Sequence, residues 1–192
     1  MVTDEAIICA TQYWLQSVII ELNFCPFARK EFTNNKIHYS VCRSARLEQV
    51  LHQLADAFQR LDEHADTETT LFILTDAFSD FEVFLDLIDY ANQLLEDLGY
   101  NGIYQLAHFH PDYCFAGESP EDASNYTSRS PFPTLHILRE KSLQSAIEKH
   151  PDTSGIPETN IALARQMGKQ KMQALLENCL KKYIEKHPRH PA

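Results

Sequence analysis

The sequence predicts an α/β protein, with α+β as the alternative: a single domain over residues 1–186, built on a four-stranded mixed sheet with three parallel strands and one antiparallel strand, and helices packed on it. Three observations carry this expectation. Four short segments read as strands. Segments of helical period separate the first three of them. The fourth strand follows the third across a loop with no helix. Strand–helix–strand units imply right-handed crossovers and parallel neighbours, whereas a strand reached without a crossover helix is expected to run antiparallel.

The elements follow in order. Residues 4–22 place Ala6, Ala10, Tyr13, Trp14, Val18 and Leu22 at helical spacing. Asn23-Phe24-Cys25-Pro26 breaks that helix, and Pro26 suits the first position of a short helix reaching about Phe32. Lys36–Arg43 alternates Ile37, Tyr39 and Val41 against His38, Ser40 and Cys42, the pattern of a strand. Ser44 is read as the cap of a helix with the stripe Leu47, Val50, Leu51, Leu54, Phe58, Leu61. Thr69–Thr75 is a short apolar run, the mark of a buried strand. Ser79-Asp80-Phe81-Glu82 has the form of a capping box and opens a helix that Gly99 ends. Ile103–His110 and Thr134–Arg139 are the third and fourth strands, separated by a polar loop over Pro111–Pro133. Lys141–Lys149 and Pro157–Lys186 read as helices, and residues 187–192 as a disordered tail.

Composition bounds the function classes. The chain has 192 residues, about the size of one domain. No run approaches the roughly 18 apolar residues of a membrane helix, and the acidic start, Met1-Val2-Thr3-Asp4-Glu5, is unlike a signal peptide. Neither G-x-G-x-x-G nor G-x-x-x-x-G-K-[ST] occurs. The net charge of −10 opposes nucleic-acid binding, which rests on phosphate neutralisation. Charge is uneven: residues 48–97 hold thirteen acids and one base, Arg60, while residues 165–190 hold seven bases and two acids. Such asymmetry can bring two surfaces together within or between chains, so a homo-oligomer is possible. Five cysteines without C-x-x-C spacing indicate neither a disulfide framework nor a zinc ribbon, and free thiols fit a reducing cytoplasm.

The loop between the third and fourth strands is the richest in chemistry. Loops of about twenty residues in compact domains are commonly functional. Asn125 and Arg129 in it, with Arg139 just beyond, are the candidates to bind an anionic substrate, since guanidinium groups hold carboxylates and phosphates bidentately. His110 and His136 flank it and titrate near neutrality, as proton transfer requires. Cys25 is the candidate nucleophile, because a helix start with Arg29 and Lys30 nearby stabilises thiolate. The blander reading makes the polar groups turn formers and Cys25 a small core residue. A metal is weakly signalled by His108 and His110 on one strand face, with His136 or Cys114 to complete a site; the sequence leaves any cofactor unknown. The loop is expected to be ordered, with Asn125 and Arg129 inward and the two histidines lining one concave site.

Two phrases carry a family resemblance: Asn23-Phe24-Cys25-Pro26-Phe27-Ala28, and the run from Asn125-Tyr126-Thr127-Ser128-Arg129 through Thr134-Leu135-His136-Ile137-Leu138-Arg139-Glu140. With His110-Pro111 and Phe115 between them, the chain resembles the bacterial domain of unknown function 1415 over about residues 5–185. The resemblance implies a single-domain cytoplasmic bacterial protein and no particular activity. Cys25-Pro26-Phe27-Ala28 also resembles the active-site turn of omega-class glutathione transferases. There the cysteine follows a strand, whereas residues 4–22 here have helical period. Three functions therefore stand: an enzyme with a Cys/His/Arg pocket for a small anion, a metal- or ligand-binding module using the same histidines, or an interaction protein using its acidic and basic helix faces.

Overall fold

Thr3 opens the first helix, its Oγ1 accepting the Ala6 amide at 3.4 Å. The computed structural model describes residues 3–75, 77–150 and 153–186, with side chains as far as Lys181, so the expected tail at 187–192 lies outside the described residues. Within them the order is α1 (Asp4–Trp14), α2 (Ala28–Thr33), β1 (Ile37–Cys42), α3 (Leu47–Glu63), β2 (Thr69–Leu74), α4 (Phe81–Asp97), β3 (Tyr104–Phe109), β4 (Thr134–Arg139), α5 (Glu140–Glu148), α6 (Ile156–Met167) and α7 (Lys169–Lys186). The expected α/β class and the four-stranded mixed sheet are both present.

The expectation of three parallel strands is corrected. The strand order is β1-β2-β4-β3, and only β1 and β2 pair in parallel. β4 pairs antiparallel with β2 on one side and with β3 on the other. The crossover through α4 leaves a gap one strand wide beside β2, and β4 returns to fill it, as in a split strand–helix–strand unit. β2 is thereby paired on both edges, and all six of its residues are buried, as its uninterrupted apolar run requires.

Helix boundaries differ from the sequence reading where local bonding overrides periodicity. Beyond Trp14 the first helix continues as a π-helical stretch, Leu15–Ile20. The widened turn buries Leu15 and the consecutive Val18, Ile19 and Ile20, which an α-helical spacing would fan around the axis. The expected single helix over 157–186 is two, α6 and α7, because Gly168 takes φ 80° between them. The cap of α4 is Asp80 rather than Ser79, its Oδ1 accepting the Glu82 and Val83 amides at 2.9 and 3.3 Å. Ser44 caps nothing: Arg46 holds the N-cap position of α3, and the Ser44 hydroxyl instead donates to Gln49.

Contacts group the residues into two compact units. Lys30–His110 with Phe132–Thr153 form the sheet unit; the residues up to Arg29, Pro111–Pro131 and the residues from Ser154 onward form the loop unit. In the sheet unit α3 and α4 cover one face. Leu54, Phe58 and Leu61 from α3, and Phe84, Leu87 and Ala91 from α4, meet Phe72, Leu74, Leu135 and Ile137 from the strands. Each large apolar side chain buried this way contributes about 1.5–3 kcal/mol. In the loop unit α1 packs with α7, and α6 with a 3-10 turn at Ala123–Thr127 inside the long loop.

Candidate functional site

The sequence-predicted site residues divide between the two units, and within each unit their polar atoms are largely engaged. In the loop unit Asn125 is wholly buried. Its Oδ1 accepts the Phe115 amide at 3.0 Å and its Nδ2 donates to the Ser119 carbonyl at 2.8 Å. Arg129 donates from Nε to the Tyr113 carbonyl (3.0 Å) and from a terminal nitrogen to the Pro120 carbonyl (3.1 Å), with its guanidinium 4.5 Å from the Tyr126 ring centroid. Trp14 in turn donates to the Arg129 carbonyl at 3.0 Å. Both residues point inward as expected, but they tie the loop to itself. From outside it is held by Arg165, which pairs with Asp122 at 3.0 Å and Glu118 at 2.9 Å, and by Lys169 on Glu121. Arg165 and the Ser124 amide hold the Asp122 carboxyl well below the usual carboxylate range.

Cys25 sits in the turn before α2, after Phe24, whose carbonyl accepts a bond from Asn160 at 2.7 Å. The expected fall in its pKa is reversed. Burial pushes the thiol up, and the Phe27 and Ala28 amides offset this only in part. A two-turn helix start does not outweigh removal of the sulfur from water.

In the sheet unit His110 and His136 do not share a face. β3 and β4 pair with His108 opposite Leu135 and Ala107 opposite His136, so even positions on β3 lie with odd positions on β4. His110 is buried against α4, its ring 5.1 Å from that of Phe81 and 5.0 Å from that of Phe84. Its Nε2–H donates to the Phe78 carbonyl at 2.9 Å, and Phe78 reaches that position with φ 63°. His136 lies on the other face. Thr69 spends its hydroxyl proton on the Ile137 carbonyl at 2.6 Å, so Nε2–H of His136 donates to Thr69 Oγ1, also at 2.6 Å. Burial pushes the His136 pKa down to about 4 and keeps the ring neutral at pH 7. The concave site expected from the two histidines, and the triple of His108, His110 and His136 considered for a metal, are therefore not assembled. Among the described residues no group of three or more His, Cys, Asp or Glu side chains is placed to hold a metal ion.

Arg139 completes the C-terminus of α3. It donates to the carbonyls of Leu61 (2.5 Å), His64 (3.4 Å) and Thr67 (3.1 Å), and to the Tyr104 hydroxyl (3.2 Å). A cation on the last carbonyls of a helix satisfies orphan acceptors and complements the helix dipole. Asp62 receives the hydroxyls of Tyr100 at 2.5 Å and Tyr104 at 2.7 Å. That carboxylate pushes the Tyr100 pKa up to about 12.

Beside this lock is a constellation the sequence reading did not select: His38 on β1, and Arg60 and His64 at the end of α3. His64 Nδ1–H donates to the Arg60 carbonyl at 2.9 Å, and its Nε2 lies 3.4 Å from an Arg60 terminal nitrogen. The Arg60 Nε is buried without an acceptor; the hydroxyl of Thr70, next to His38 in the β1–β2 ladder, is buried without a partner, and one oxygen of Glu68 is buried without a donor. Burial, then repulsion from Arg60 and His64, lowers the His38 pKa. A signal existed in the sequence. Arg60 is the one base among thirteen acids over residues 48–97, and His64 follows it by one helical turn.

Fold and site together define a mixed-sheet α/β protein whose most conspicuous polar residues are structural ties, with a small cationic cluster beside one of them. The chain belongs to the family described as protein of unknown function (DUF1415), whose profile matches residues 6–174. No curated protein and no solved structure matches the chain.

Proposed function

We propose that this protein binds a small anionic molecule, with His38, Arg60 and His64 forming the binding head. One observation carries the reading: the Arg60 Nε is a charged donor taken out of water with no acceptor. Leaving such a group unsatisfied costs on the order of 1–3 kcal/mol or more, and an anion oxygen would offset that cost. The same anion would relieve the repulsion that Arg60 and His64 exert on His38. All three side chains are partly exposed, so the head is open to solvent. Binding without thiol chemistry is favoured because burial raises the Cys25 pKa. A cytoplasmic setting belongs to this reading, supported by five free cysteines.

The test follows the His38 imidazole by NMR while inorganic phosphate is added to the full chain. Binding is expected to raise the His38 pKa toward or above its ordinary value, and Arg60→Gln is expected to abolish the shift. Imidazole signals that phosphate leaves unmoved, in a folded protein, would overturn the proposal.

A further inference from the structure

The charge asymmetry of the sequence acquires a location on α4. No Lys or Arg occurs from Leu61 to Ser128. The outer arc of α4 carries Glu82, Asp86, Asp89, Glu96 and Asp97, all exposed, and no basic side chain pairs with them among the described residues. The arc is not simply a solvated acidic face. Val83 is 48% exposed and Tyr90 52%, and with Asp86 and Asp97 they fall at spacings of three, four and seven along one stripe. Apolar side chains flanked by charges of one sign are the composition of a docking face, with the apolar groups supplying affinity and the charges register and steering.

The complementary charge is in the chain itself. Lys181, Lys182, Lys186 and Arg189 lie within nine residues that also contain Tyr183 and Ile184, against one acid, Glu185. Lys181 is exposed at the end of the described side chains. We infer that the α4 face docks the basic C-terminal stretch of a second copy of this chain. The exchange we infer is reciprocal: each copy gives its basic segment to the same partner from which it receives one, which closes the pair about a two-fold axis and leaves no free end for a filament. The exchange pairs unlike charges across the contact, although each copy carries a net charge of −10.

Two variants of the full chain test this. Asp86→Lys with Asp89→Lys reverses the receiving face, and Lys181→Glu with Lys182→Glu reverses the segment. All four positions are exposed or beyond the described side chains, and far-ultraviolet circular dichroism confirms that each variant folds. Sedimentation equilibrium is expected to show the wild type as a dimer whose dissociation constant rises about tenfold or more from low to high salt. Each variant alone is expected to be monomeric. An equimolar mixture is expected to recover heterodimer, because the unreversed basic segment of the first meets the unreversed acidic face of the second, and the two reversed surfaces also match. A wild type that is monomeric throughout, a dimer indifferent to both reversals, or a mixture that stays monomeric would overturn the inference. The last outcome would place the basic segment on its own copy or leave α4 to a different basic partner.

Discussion

The sheet unit and the loop unit are held together by different physics. In the sheet unit two amphipathic helices bury a continuous apolar face on the strands, and polar ties such as Arg139 finish the edges. In the loop unit the segment Pro111–Pro131 has few apolar residues of its own. Its course is set by side chains bonding to named carbonyls and amides, with ion pairs outside. Arg129 and Arg139 look alike in the sequence and do the same work in the two settings. Each spends most of its donors on backbone carbonyls of irregular or helix-ending segments. An arginine prominent in an acidic protein is thus as readily a tie for irregular backbone as a ligand for an anion.

That contrast can be broken by substitution. Phe72→Ala, in the centre of β2, should cost about 3–5 kcal/mol, because it opens a cavity where no side chain is exposed. Urea unfolding followed by circular dichroism measures it, and a loss below about 1 kcal/mol would show that the sheet unit does not depend on its core. Asn125→Ala should cost about 1–3 kcal/mol by leaving the Phe115 amide unpaired and taking one of two donors from the Ser119 carbonyl. Its distinctive mark is local. Hydrogen exchange at Phe115 should accelerate while amides of β2 and β4 keep their protection, whereas uniform acceleration would deny the loop unit its separate bonding.

The smallest effect concerns the outer ion pairs. Arg165 holds the Asp122 carboxyl below its ordinary pKa. A group whose pKa is depressed by folding stabilises the folded state above its unfolded pKa. That contribution declines as pH falls through the acid range toward the folded value. Arg165→Ala should therefore shallow the acid side of the stability-against-pH curve, with the difference from wild type shrinking in high salt. Parallel curves at every ionic strength would remove these pairs from the account.

Much of the fold could be read from the sequence because hydrophobic period is local. The strand at Thr134–Arg139 has its expected bounds, the run at Thr69–Thr75 loses one residue, and Gly99 ends α4 with φ 76°. Lateral strand order was not legible, since nothing in the period of β4 says whether it pairs beside β3 alone or between β3 and β2. The face of His136 was not legible for a related reason. Alternation fixes which residues of one strand share a side, but the parity between two strands depends on register, which the intervening loop sets. One residue more or fewer in that registration would have brought His136 to the side of His110. For Asn125 and Arg129 the inward orientation was foreseen from the polarity of the loop, while their partners, being backbone atoms, leave no mark in composition. Arg60 was visible as a lone base, but only the structure shows its Nε buried without an acceptor.

The insertion of β4 between β2 and β3 has a consequence for synthesis. As the chain leaves the ribosome, β1, α3, β2, α4 and β3 emerge before any residue of β4. Until position 139 is free, β2, fully buried in the finished fold, has one edge without a ladder and β3 has no strand to pair with. An open edge on a hydrophobic strand is a template for pairing with other chains. Every nascent copy must pass through that interval while more than twenty residues of polar loop are translated. The exposed acids of α4 put charges of one sign on every such chain, and like charges repel.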